Sequence, residues 1–99
     1  MSIQRKIERD SLELLVSGRI DGAVANDLEV ELLAAMRSEM ANIYVNLAEA
    51  DFLCSAGIRV LLQYYRQMKK QNKVFRVCGP TGAVKATLEM TGFMDLVES

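Results

Sequence analysis

Three stretches with helical periodicity each stand between short runs rich in β-branched residues, and this alternation constrains the fold more than any other feature of the chain. Parallel strands need a crossover of about a dozen residues, usually a helix. The pattern therefore predicts an α/β fold with a mixed, mostly parallel sheet of about five strands. Residues 2–9 alternate, with Ile3, Arg5, Ile7 and Arg9 on one side and Gln4, Lys6 and Glu8 on the other, as in an edge strand with a charged outer face. A turn at Asp10 and Ser11 leads into a more apolar strand over residues 12–20, which closes a hairpin. Gly18 interrupts that strand near its end and predicts a bulge or a close backbone approach.

Asp21 is placed as the N-cap of a helix in which Val24, Leu28, Leu32, Ala35 and Met36 recur at spacings of three and four, running to about Met40. Residues 42–47 (NIYVNL) read as a third strand, with Ile43, Val45 and Leu47 on one face and Tyr44 on the other. Residues 51–57 (DFLCSAG) read as a compact loop. In the second helix Ile58, Leu61, Leu62, Tyr65 and Met68 share the core face, and Arg59, Gln63, Arg66 and Lys70 the outer one. Lys69, Lys70 and Lys73 close it, where cations meet the negative end of the helix dipole. Residues 74–78 give a fourth strand, stopped by Gly79 and Pro80. Thr81 caps a third helix that turns Val84, Leu88 and Met90 inward and ends at Gly92, and residues 94–97 form a last edge strand. Right-handed crossovers between strands laid down in order place all three helices on one face of the sheet. Only the first strand is then antiparallel, and the other face is open to water.

The length, 99 residues, fits a single domain over the whole chain, and 51% hydrophobic with 25% charged residues is globular composition rather than that of a disordered chain. The net charge of −1 leaves no cationic surplus for a phosphate backbone or an anionic membrane, so nucleic acid is not an expected partner. There is no His, which removes the commonest general base and metal ligand, and Cys54 and Cys78 cannot build a zinc site between them. No metal or cofactor is expected. No apolar run approaches the roughly 20 residues of a spanning helix, and the N-terminus lacks the apolar core of a signal peptide. Membrane insertion and export are not expected, and the cytoplasm is the expected compartment.

One place combines a tight loop, a hydroxyl and a helix start: residues 53–57 (LCSAG). Ligands and modifications of α/β sheets collect at the carboxyl ends of parallel strands, where helix N-termini point free amides outward. By position alone Ser55 reads as an N-cap, worth about 1 kcal/mol. Catalysis by Cys54 lacks a base to activate the thiol. There is also no Gly-rich phosphate loop of the Walker type, so the chain is not expected to be an enzyme.

The run DFLCSAGIRVLLQYYRQMKK, with GRIDGAVANDLEVEL upstream and VCGPTGAVKATLEMTGF downstream, resembles the STAS domain of bacterial anti-sigma factor antagonists over nearly the whole chain. The resemblance implies a partner-switching regulator. Such a protein binds an anti-sigma factor that is also a serine kinase of the histidine-kinase ATPase fold, is released when that kinase phosphorylates it, and is restored by a PP2C-type phosphatase. Carried onto this sequence, the acceptor is Ser55 and the partner-binding residues are Asp21, Gly22, Cys54, Ser55, Ala56, Gly57, Ile58 and Arg59. Many members have Asp and then two hydroxyl residues before the glycine. Here Cys54 holds the Asp position and Ala56 the second hydroxyl position. A hydroxyl-Ala-Gly loop also resembles STAS subunits of lipid ABC transporters, which contact the transporter's ATPase; that is the alternative reading.

Overall fold

A computed structural model describes residues 2–92 and 97–98. Strand β1 (Ile3–Glu8) pairs antiparallel with β2 (Ser11–Val16), from Ile3 opposite Val16 to Glu8 opposite Ser11. This register makes Arg9 and Asp10 the turn, one residue earlier than the sequence suggests. Arg9 takes a left-handed φ of 58°, in keeping with the tight two-residue loops that match hairpin twist. From β2 the sheet continues in parallel through β4 (Asn42–Asn46) and β6 (Val74–Cys78) to β7 (Val97–Glu98), in the order β1-β2-β4-β6-β7. Of the last expected strand, residues 94–97, only Val97 falls within the described residues, and it is paired as expected.

The predicted strand over residues 12–20 is in fact two. At Gly18, with φ of 79°, the chain leaves the main sheet. The Ser17 amide donates back to the Ser2 carbonyl (2.7 Å) while that of Gly18 donates across to Glu49 (2.9 Å). Beyond this point β3 (Gly18–Ile20) pairs in parallel with β5 (Ala50–Leu53), with a register shift between Gly18 and Arg19 that is the expected irregularity. Part of the stretch expected to be loop, Asp51 to Leu53, is therefore strand. Its four residues are too short to show a period, and it forms because Ala50 and Leu53 are buried beside Ile20.

Helix α1 (Gly22–Arg37) buries Ala25, Leu28, Leu32 and Ala35. It stops short of Met40 because Ser38 turns the chain: its hydroxyl donates to the Ala35 carbonyl (2.7 Å) and accepts from the Met40 amide (3.1 Å). Helix α2 (Ser55–Lys70) begins three residues before Ile58, and its buried stripe is Gly57, Val60, Leu61, Tyr64 and Met68. Ile58 and Tyr65, expected in the core, are only partly buried against it, and Leu62, also expected there, lies half-buried on the outward side of the helix. Helix α3 (Gly82–Met90) follows Thr81, which holds the N-cap position without a side-chain cap bond, and buries Val84 and Leu88. Met90, expected to face inward, is 88% exposed, because two residues beyond Leu88 a helix points the opposite way.

Register and the strand period of two place the core on one side of the sheet. Leu12, Ile43 and Phe75 lie abreast, as do Leu14, Val45 and Val77, and all are buried. The alternate rows, Glu13–Tyr44–Arg76 and Leu15–Asn46–Cys78, lie half-buried on the face without helices. Cys78, expected as a core residue, is on this second face because Val77 points inward. The α/β class, the mixed sheet and the one-sided helical cover are as the sequence predicts.

Candidate functional site

The β3–β5 ribbon builds the site. Ile20 pairs with Leu53, both are buried, and the Cys54 amide donates to the Ile20 carbonyl at 3.0 Å. The next residue on each strand heads a helix, so α1 and α2 start side by side. Asp21 and Cys54, thirty-odd positions apart in the chain, thus become neighbours at the carboxyl ends of two parallel strands, where α/β folds place ligands.

The two helix starts are finished differently. The Asp21 carboxylate accepts from the Val24 amide at 3.1 Å, so the N-cap role expected for it is present. Asp21 and the following Gly22 are exposed, and nothing lies within 4 Å of where a Gly22 side chain would be. At α2 the N-cap position belongs to Cys54, not to Ser55 as its residue type suggests, and the thiol makes no cap hydrogen bond. The Cys54 carbonyl accepts from the Ile58 amide (3.1 Å), and the amides before it have no acceptor within the helix. Ser55 is the first helical residue and is exposed. Its hydroxyl therefore stands at an uncapped, positive helix end.

Gly57 explains how tightly that end is held. A Cβ there would lie 2.6 Å from Leu53 Cδ1 and 3.2 Å from Ile20 Cγ2, so α2 approaches the ribbon more closely than any other residue allows. Ala56 and Ile58 are half-buried beside it, and Arg59 is exposed one turn below Ser55 on the same side of the helix. The structure thus sets Asp21, Gly22, Cys54, Ser55, Ala56 and Ile58 at two adjacent helix starts, with Gly57 buried beneath them against the ribbon and Arg59 one turn along α2.

Two neighbours escaped sequence reasoning. On the outer face of the ribbon the Arg19 guanidinium stacks over the Phe52 ring, 3.8 Å from its centroid. That contact was illegible without the β3–β5 pairing. Further along the helices the Tyr64 hydroxyl of α2 lies in the field of Glu29 of α1. Burial pushes its pKa above the ordinary value of 10.0, the charge of Glu29 pushes it further, and Arg37 opposes them. The Cys54 thiol is free and half-buried. Among the described residues no group of three or more His, Cys, Asp or Glu is placed to hold a metal ion, and no helix is long and apolar enough to cross a membrane.

Two helices rising from one parallel ribbon, beside a mixed sheet covered on a single face, form a recurring domain architecture. Residues 2–98 match the STAS domain, and the chain belongs to that family. It is 26% identical over 98 residues to the anti-sigma-B factor antagonist of Staphylococcus aureus, covering 98% of this chain and 90% of that protein. Its fold superposes on the anti-sigma factor antagonist SpoIIAA in its unphosphorylated form with a TM-score of 0.87, at 15% identity over 97% of this chain and 85% of that one. For the Bacillus cell fate determinant SpoIIAA in its phosphorylated form the TM-score is 0.80, at 14% identity, covering 97% and 88%.

Proposed function

We propose that the chain is a single-domain, non-enzymatic anti-sigma factor antagonist that works in the cytoplasm by partner switching. Unphosphorylated, it binds an anti-sigma factor that is also a serine kinase of the histidine-kinase ATPase fold. That kinase phosphorylates Ser55 and is released, and a PP2C-type phosphatase restores the free hydroxyl. The observation that carries this reading is the exposed Ser55 at the uncapped start of α2, which the pairing of β3 with β5 sets beside the start of α1. The names of the relatives support the regulatory class, and a SpoIIAA fold in phosphorylated form supports the switch.

The physics agrees. A phosphoserine carries about −1.5 to −2 charges at neutral pH. At a helix N-terminus this charge is favoured by roughly 0.3 to 1 kcal/mol, so the fold tolerates it. A partner surface fitted to an uncharged serine does not, because misplaced charge across an interface costs several kcal/mol. One modification thus leaves the domain folded and removes its partner.

The test sets Ser55→Glu against Cys54→Ser in calorimetric titration with the cognate kinase. Ser55→Glu lowers affinity at least tenfold, about 1.4 kcal/mol, while Cys54→Ser keeps it within a few fold. With Mg-ATP the phosphate maps to Ser55 and is lost in Ser55→Ala. Phosphate on Ser11, Ser17 or Thr81 would sink the assignment. Equal binding by wild type and Ser55→Glu would favour the subunit of a lipid ABC transporter.

A further inference from the structure

The outward face of α2 is electrically one-sided. Between residues 55 and 73 stand Arg59, Arg66, Lys69, Lys70 and Lys73 with no Asp or Glu, although the chain as a whole carries a net charge of −1. At about 100° per residue, Ser55, Arg59, Arg66 and Lys70 fall within an arc of roughly 60°, opposite the buried stripe and about 22 Å long. Arg59, Leu62, Gln63, Arg66, Gln67 and Lys70 line a shallow groove of about 290 Å³ along it. Lys73 is occupied with the carbonyls of Ser38 and Met40, and Lys69 lies over the Tyr65 ring. Arg59, Arg66 and Lys70 make no ion pair among the described residues.

A merely solvated helix face does not account for this set. Such faces intersperse both signs, whereas Arg66 and Lys70 are like charges at a spacing of four, which disfavours the helix. The dipole accounts for Lys70 in the last turn but opposes Arg59 near the positive end. We propose that this stripe, from Arg59 through Arg66 to Lys70, is a docking surface for an acidic face of a partner protein. Charge complementarity commits it to that occupant: the cations are aligned, without an ion pair among the described residues, and set around a groove that Leu62 also lines. The inference deepens the partner-switching reading and rests on it for the partner's identity. It also explains the sign of the switch. Phosphate on Ser55 adds negative charge one turn from Arg59, where it both engages that guanidinium and repels an acidic partner.

The experiment captures the binding partner from native cells with the wild-type chain, identifies and purifies it, and titrates it against three proteins. These are wild type, the double reversal Arg66→Glu with Lys70→Glu, and the control Asp27→Lys with Glu39→Lys, all at exposed positions. Circular dichroism verifies that each is folded. The expected result is at least a tenfold loss for the α2 reversal, less than a threefold change for the control, and wild-type affinity that falls as salt rises while that of the reversed variant stays flat. Unchanged affinity on reversal, equal effects from both pairs, or no captured protein held more firmly by wild type overturns the proposal. So does tighter wild-type binding to phosphatidylglycerol vesicles or to duplex DNA than to the protein partner. A partner that is not an anti-sigma kinase yet depends on Arg66 and Lys70 supports the surface and refutes the preceding function.

Discussion

A single methyl group at Gly57 would meet Leu53 Cδ1 at 2.6 Å, and Leu53 is itself only 4% exposed and has little room to yield. Overpacking of this kind costs about 1–3 kcal/mol, and that loss is expected for Gly57→Ala in urea denaturation. Gly22→Ala is the contrast. Open space surrounds the position, so the substitution is expected to stabilise by roughly 0.4–1 kcal/mol through the unfolded chain. Tyr64 gives a pH prediction. Its folded-state pKa is raised above the unfolded value, so the stability it contributes is fully present below pH 10.0 and is lost as pH rises through the folded pKa. Denaturation midpoints followed into the alkaline range are expected to fall less steeply for Tyr64→Phe than for wild type. At this scale Ser55, Arg59 and Asp21 were readable as exposed chemistry on a helix start. Tyr64 was not, because which tyrosine turns inward depends on where α2 begins.

That beginning is a property of the element. Residue type favours Ser55 as a cap, yet Cys54 occupies the position because its amide is drawn to the Ile20 carbonyl and its backbone is extended, with φ of −82° and ψ of 170°. A residue able to accept a hydrogen bond at that position is expected to supply the missing cap. Cys54→Ser therefore raises stability by about 0.5–1 kcal/mol, whereas Asp21→Ala, which removes the bond to Val24, lowers it by about 1 kcal/mol. Thermal unfolding of the two variants beside wild type checks both signs. A negative charge introduced at Ser55 is expected to be accepted by the positive end of α2 without unfolding, while the outward face of the helix presents Arg59, Arg66 and Lys70. The strand β5 was invisible to pattern reading because Ala50–Leu53 spans too few residues to alternate.

For the whole molecule, β1 is an open sheet edge that the sequence guards. Two copies extending one continuous sheet through antiparallel β1 strands must keep their faces, so residues of like parity stand opposite one another. Pairing centred on the strand then sets Arg5 against Arg5 or Lys6 against Lys6, and like charges directly opposite are destabilising. Arg5 is also 3.5 Å from Glu31, a pair with an exposed guanidinium and a half-buried carboxylate that is worth little to stability. Arg5→Val with Lys6→Val is expected to convert the chain to a concentration-dependent oligomer in sedimentation velocity, with the wild type unaffected. The sequence by itself determined the α/β alternation, the shared face of Ile43, Val45 and Leu47 and the single antiparallel strand, because these follow from periodicity and right-handed connection, while the group of residues at the helix starts was legible only through the family resemblance. Only the tertiary structure decided the break at Gly18, the pairing of β3 with β5, the start of α2 at Ser55 and the outward turn of Met90 and Cys78. Each depends on contacts between residues about thirty positions apart or on the register those contacts impose, and no local pattern encodes them.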